Sequence, residues 1–140
     1  MKLNLRKLVA IIAISGVLAL VTGCVDRGDT DEFVEISNGL AKNIGQLDDE
    51  AGVTLTGFAS DPSTNVIQIG IGVDDKLIKP EQLKQIVDAY LENATTFTNE
   101  KDASKVLQPI ELRIEEIGKV KDNFPVLAEK AAGSTEMTWN

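Results

Sequence analysis

Between residues 31 and 50, apolar side chains return every third or fourth position, at Phe33, Ile36, Leu40, Ile44 and Leu47. That spacing lines one face of an amphipathic helix. Asp29, Thr30, Asp31 and Glu32 suit its start, where free amides and the helix dipole favour acceptors and negative charge. Gly39 and Gly45 weaken it, each by about 1 kcal/mol relative to Ala. Asp48, Asp49 and Glu50 oppose the dipole at the far end, and Gly52 breaks the chain. The period then changes to two. Val53, Leu55 and Gly57 alternate with Thr54, Thr56 and Phe58, and Ile67, Ile69, Ile71 and Val73 alternate with Gln68, Gly70 and Gly72. This predicts strands over 53–59 and 65–73, joined as an antiparallel hairpin through the turn chemistry of Ser60-Asp61-Pro62-Ser63-Thr64-Asn65. Gly70 and Gly72 share a strand face and leave it bare, either for a closely packed helix or for another backbone lying in a groove.

The clearest helical stripe follows over 80–97. Pro80 occupies the first turn, where a missing N–H costs nothing, and Leu83, Ile86, Val87, Tyr90, Leu91 and Ala94 point to one side. Asn99 to Ser104 is polar and reads as a loop or ragged turn. Ile110, Leu112 and Ile114 alternate with Glu111, Arg113 and Glu115, a third strand over 110–117 closed by Gly118. Pro125 argues against a strand through that point, Val126 to Ala132 reads as a short helix stopped by Gly133, and Thr135, Met137 and Trp139 have the alternation of a short terminal strand. The fold class is α+β: a small antiparallel or mixed sheet with helices packed on one face, in the order αββαβ, plus an irregular C-terminal segment. That order resembles the BON domain and the ring-building modules of envelope secretion machines. The resemblance is one of topology, with no shared motif, and implies nothing about activity.

The first residues have a different character. Lys2, Arg6 and Lys7 precede a charge-free aliphatic run from Leu8 to Val21, closed by Val21-Thr22-Gly23-Cys24. This is the layout of a secretory signal, and the apolar run is shorter than the roughly 20 residues a membrane-spanning helix needs. Val21-Thr22-Gly23-Cys24 resembles the lipobox of bacterial lipoproteins, with Val where Leu is more usual. The resemblance implies cleavage between Gly23 and Cys24 and a lipid on the Cys24 thiol, which would leave Cys24 as the mature N-terminus. Cys24 is the only cysteine, so an intramolecular disulfide is excluded. The expected organisation is a signal peptide at 1–23, a lipidated tether at 24–31 and one domain at 32–140.

Charge narrows the partners. The chain carries a net −8, and because residues 1–23 hold three basic and no acidic residues, the remainder carries −11. Such a surface repels nucleic acid and anionic headgroups, so membrane attachment falls to the lipid on Cys24. Candidate chemistry is sparse. With no histidine, Ser-His-Asp and Cys-His sites cannot be built, and no zinc set or phosphate-binding glycine motif occurs. Asp48-Asp49-Glu50, Asp74-Asp75 and Glu115-Glu116 sit near element ends, as solvated surface does, and a hydrolase would need two such carboxylates to converge in a cleft. Asp26, Asp29, Asp31 and Glu32 gather hard oxygen ligands, but without the spacing of a calcium loop.

No catalytic residue, metal ligand or cofactor is therefore expected. The function read from the sequence is that of a lipid-anchored, non-enzymatic module on the extracytoplasmic face, which contacts another envelope or membrane protein in complex assembly or in an immunity or exclusion role. The alternative is a binding protein for a small ligand, a lipid or a cation. Trp139, Met137 and Phe58 are the candidate contact residues, Trp139 and Met137 being equally suited to a strand that closes the core.

Overall fold

The computed structural model describes residues 27–140, and side chains from Thr30 onward. Cys24, Gly23, the signal segment and Asp26 lie outside the described residues. Helix α1 spans Arg27–Lys42, followed by a one-turn helix α2 at Gly45–Asp48. The stripe over 31–50 is thus two helices rather than one, yet Phe33, Ile36, Leu40 and Leu47 are all buried. The break is chemically satisfied. The Gly39 carbonyl accepts from Asn43 Nδ2 at 2.7 Å, and the Ala41 carbonyl accepts from the Ile44 N–H at 3.3 Å. The Leu40 carbonyl accepts from the buried Tyr90 hydroxyl at 2.6 Å, across 50 residues of chain. Each acceptor left open at the end of a helix must find such a donor.

Strands β1 (Val53–Asp61) and β2 (Val66–Val73) form the expected hairpin, with β1 two residues longer than predicted. Asp61 shapes the turn by accepting from the Ser63 N–H at 2.9 Å and the Ser63 hydroxyl at 2.6 Å, and Asn65 takes a positive φ of 55°. Helix α3 (Pro80–Ala94) opens with the Lys79 N–H donating to Gln82 Oε1 at 2.9 Å and closes three residues short of the predicted end. Within the polar stretch read as a loop, Asp102 caps a further one-turn helix, α4 (Ala103–Val106), by accepting from the Ser104 N–H at 3.0 Å.

Strand β3 (Glu111–Glu116) lies parallel to β2, because α3 carries the chain back across the sheet before it pairs. The segment expected as a short helix at 126–132 is instead strand β4 (Val126–Lys130), antiparallel to β3, and a two-residue strand β5 (Thr138–Trp139) follows. Leu127-Ala128-Glu129-Lys130 has strong helix propensity, which the pairing of Leu112 with Lys130 and Ile114 with Ala128 overrides. Pro125 lies just outside β4, where its carbonyl accepts from the Glu116 N–H at 2.8 Å. The result is an open five-stranded mixed sheet in the order β1-β2-β3-β4-β5.

The core lies on one face of this sheet. Ile67, Ile69, Ile71, Leu112, Ile114 and Ala128 project from it onto Phe33, Ile36 and Leu40 of α1 and Leu83, Val87, Tyr90 and Leu91 of α3. The two helices meet at Gly39. A Cβ there would lie 2.5 Å from the Ala94 carbonyl oxygen and 2.7 Å from the Phe97 ring, so only glycine permits the approach. Gly39→Ala should therefore destabilise the fold by about 1–3 kcal/mol despite its better helix propensity. Gly45→Ala, which meets nothing within 4 Å, should be neutral or stabilising by up to about 1 kcal/mol. Urea unfolding of the two variants measures the contrast; equal effects would mean that the helices do not meet closely at Gly39.

Candidate functional site

The outer face of the sheet answers the question raised by the paired glycines. Ile117 continues beyond β3, donates its N–H to the Ile71 carbonyl at 3.1 Å, and lays its side chain over Gly70. A Cβ on Gly70 would come within 2.8 Å of Ile117 Cδ1, and one on Gly72 within 3.2 Å of the Ile117 carbonyl. Among the described residues, it is a residue of the same chain that lies over Gly70. Lys119 fastens the crossing segment, bonding Asp75 Oδ2 at 2.7 Å and pairing with Glu116. These two carboxylates raise the Lys119 pKa.

The three candidate contact residues are not gathered into one patch. Phe58, Met137 and Trp139 are each partly buried against the core, which is the core-closing role open to Trp139 and Met137. Phe58 pairs with Ile69 on the helix-covered side of the hairpin. Trp139 flanks a small cleft of about 150 Å³ with Ile78, Leu83 and Leu127. Met137 lines a different one.

That larger cleft, of about 550 Å³, lies between α3, α4 and the C-terminal segment. Asp88, Glu92, Glu100 and Asp102 stand around it, and Leu91, Leu107 and Met137 supply its apolar lining. No sequence pattern announced this grouping, because the four acids come from a helix face and from the stretch read as a loop. Asp102 is committed to capping α4. Its bonds from the Ser104 hydroxyl and N–H hold its carboxyl below the usual range, the opposite of what a general acid needs. Among the described residues no aromatic side chain lines the cleft to stack on a sugar ring. Among the described residues no group of three or more His, Cys, Asp or Glu is placed to hold a metal, and Asp31 and Glu32 are exposed.

Lys130, also beside this cleft, is buried to 3% exposure. Among the described residues no carboxylate pairs with it. Its ammonium donates to the carbonyls of Ile110 at 2.6 Å, Ala131 at 3.0 Å and Ser134 at 3.0 Å, with Gln108 further off at 3.4 Å. It thus ties the turn before β3 to the turn after β4, a structural task that leaves no proton free for substrate. Burial lowers its pKa to about 8, from the ordinary value near 10.5. Between these values the unfolded chain holds a proton that the folded chain has released, so this group makes stability rise with pH across that window. Below it the full cost of burying the charge is present. The stability difference between wild type and Lys130→Met, followed by urea unfolding, should shift in favour of wild type from about pH 8 to about pH 10. A pH-independent difference would show that the carbonyls hold the proton throughout.

The remaining exceptional feature is an edge. Among the described residues β1 pairs with β2 alone, so the other side of its backbone is unpaired. It is nine residues long, its first eight residues, Val53 to Ser60, carry no charge and no proline, and Thr54, Leu55, Ala59 and Ser60 are exposed. Natural sheets usually blunt such an edge with lysine, proline or a short strand. Here the only irregularity is a register shift between Val53 and Leu55. The opposite edge, β5, has two residues. No family model, curated protein or solved structure matches the chain.

Proposed function

We propose that this chain is a lipid-anchored extracytoplasmic lipoprotein whose α+β domain is a non-enzymatic interaction module, taking up an extended segment of another envelope protein along the free edge of β1. The long β1 edge, free of lysine and proline, is the observation that carries the interaction half of this reading. An added strand gains main-chain hydrogen bonds on such an edge without any rearrangement of the sheet. The lipobox-like Val21-Thr22-Gly23-Cys24 carries the anchoring half. No helix among the described residues is long and apolar enough to cross a membrane, and a surface as acidic as this one gains nothing from anionic headgroups. Two acyl groups on Cys24 would provide stable attachment where one would not.

Two sets of variants separate the halves. Cys24→Ser should move the protein from the membrane to the soluble fraction with its unfolding midpoint unchanged; retention in the membrane would mean that the leader itself is the anchor. Leu55→Lys combined with Ala59→Lys, at exposed edge positions, should leave the midpoint within a few degrees. In intact cells the pair should abolish cross-linking to the envelope partner. Cross-links that persist at wild-type yield would place the contact elsewhere.

The larger cleft favours a second reading, a binding protein for a small cationic ligand, since four carboxylates outnumber Lys101 and Lys130 around its apolar lining. Hexylamine is a simple probe of that chemistry. Saturable chemical-shift changes confined to Leu91, Leu107 and Met137 at millimolar amine would support this second reading, and their absence removes it.

A further inference from the structure

The charges around the β1 edge describe the partner, given the edge reading above. Near the middle of the strand Asp48 of α2 leans on it, its Oδ1 accepting from the Thr56 hydroxyl at 2.7 Å, while Asp49 and Glu50 follow in the turn before Val53. At the C-terminal end Asp61 closes the strand. Asp48 and Asp61 are both exposed. Bonds from Ser63 hold the Asp61 carboxyl below its ordinary pKa. No basic residue lies on the strand between them. Gly57 to Ser60 is therefore a neutral run with a carboxylate at either end.

Spacing adds a second constraint. Thr56 and Asp61 are five residues apart, about 17 Å at roughly 3.4 Å per residue. Thr56 pairs with Ile71, on the helix-covered side, whereas Asp61 pairs with Val66, on the outer side. Residues an odd number apart on a strand point to opposite faces. An added strand with basic side chains at positions i and i+5 presents them on opposite faces too, one toward Asp48 and one toward Asp61. A second copy of this chain fits poorly, because antiparallel pairing of two β1 edges about Gly57 brings each Asp61 opposite Val53 of the other copy, beside its Asp49-Glu50 turn.

We propose that the β1 edge recognises an extended segment of a partner protein in which two basic residues, five positions apart, flank an uncharged β-prone run. The probe is a ten-residue peptide of Thr, Val and Ser with Lys at its third and eighth positions, compared with the same peptide carrying Glu there. Binding to the full-length protein is followed by fluorescence anisotropy, and the site by hydrogen exchange of the amides of residues 53–61. The Lys peptide should bind about tenfold more tightly than the Glu peptide, the size expected when two exposed charge pairs turn from attractive to repulsive. It should slow exchange along β1, and most of the difference should vanish at 1 M salt, where the Debye length is about 3 Å. Asp48→Asn with Asp61→Asn, which keeps the oxygen acceptors for Thr56 and Ser63, should erase the preference in a protein that remains folded. Equal binding of both peptides with β1 protected would overturn the basic-partner proposal and leave the edge reading standing. Binding of the Lys peptide without protection of β1, or no protection by either peptide, would overturn both. Protection of β1 that depends on protein concentration alone would identify a second copy as the occupant.

Discussion

The helical layer depends on how closely α1 and α3 can approach. Both must lie over a sheet whose buried face is formed largely by Ile67, Ile69, Ile71, Leu112 and Ile114. Gly39 lets the α1 backbone rest against the end of α3, and the Tyr90 hydroxyl then reaches the Leu40 carbonyl left open where α1 stops. The two contacts reinforce one another, since each holds the helices at the separation the other requires. Burial raises the Tyr90 pKa well above its ordinary value, so the hydroxyl stays neutral and remains a donor.

Covering only one face of the sheet has consequences on the other. The outer face is closed sparingly, by Ile117 lying over Gly70, and the crossing segment is fastened at its end by Lys119 between Asp75 and Glu116. Lys130 does comparable work at the opposite end of β3, where three close backbone carbonyls take the place of a carboxylate. Strands added in sequence order place β1 at one margin and the two-residue β5 at the other. A long exposed edge is thus a direct product of the topology. Its lack of blunting residues is a property of the sequence, and the two together support strand addition as the proposed role.

The regular elements were legible where burial imposes a period. The hairpin, α3, β3 and the α1 stripe follow from their spacing because each keeps one face against the core. Two elements misled. Leu127-Ala128-Glu129-Lys130 has helical propensity and no long apolar run, and only the vacant edge of β3 makes it a strand. The stripe over 31–50 concealed a break at Asn43 and Ile44, because the apolar spacing continues through it. The candidate site was less legible still. Val53 to Ser60 reads as a strand, but nothing in those residues says that its outer side lacks a neighbour. Asp48 reads as a fraying helix end, and only its bond to Thr56 places it beside that strand.

Taken alone, the sequence determined the α+β class, the hairpin, the acidity of the surface and the lack of histidine and of a second cysteine, all of which depend on residue identity and local spacing. Tertiary structure decided which strands became edges, what covers Gly70, where Lys130 finds its acceptors and which carboxylates surround the larger cleft. Those outcomes depend on contacts between segments far apart in the chain. A local period reports whether a residue has a buried face, and it carries no record of which distant segment provides the burial.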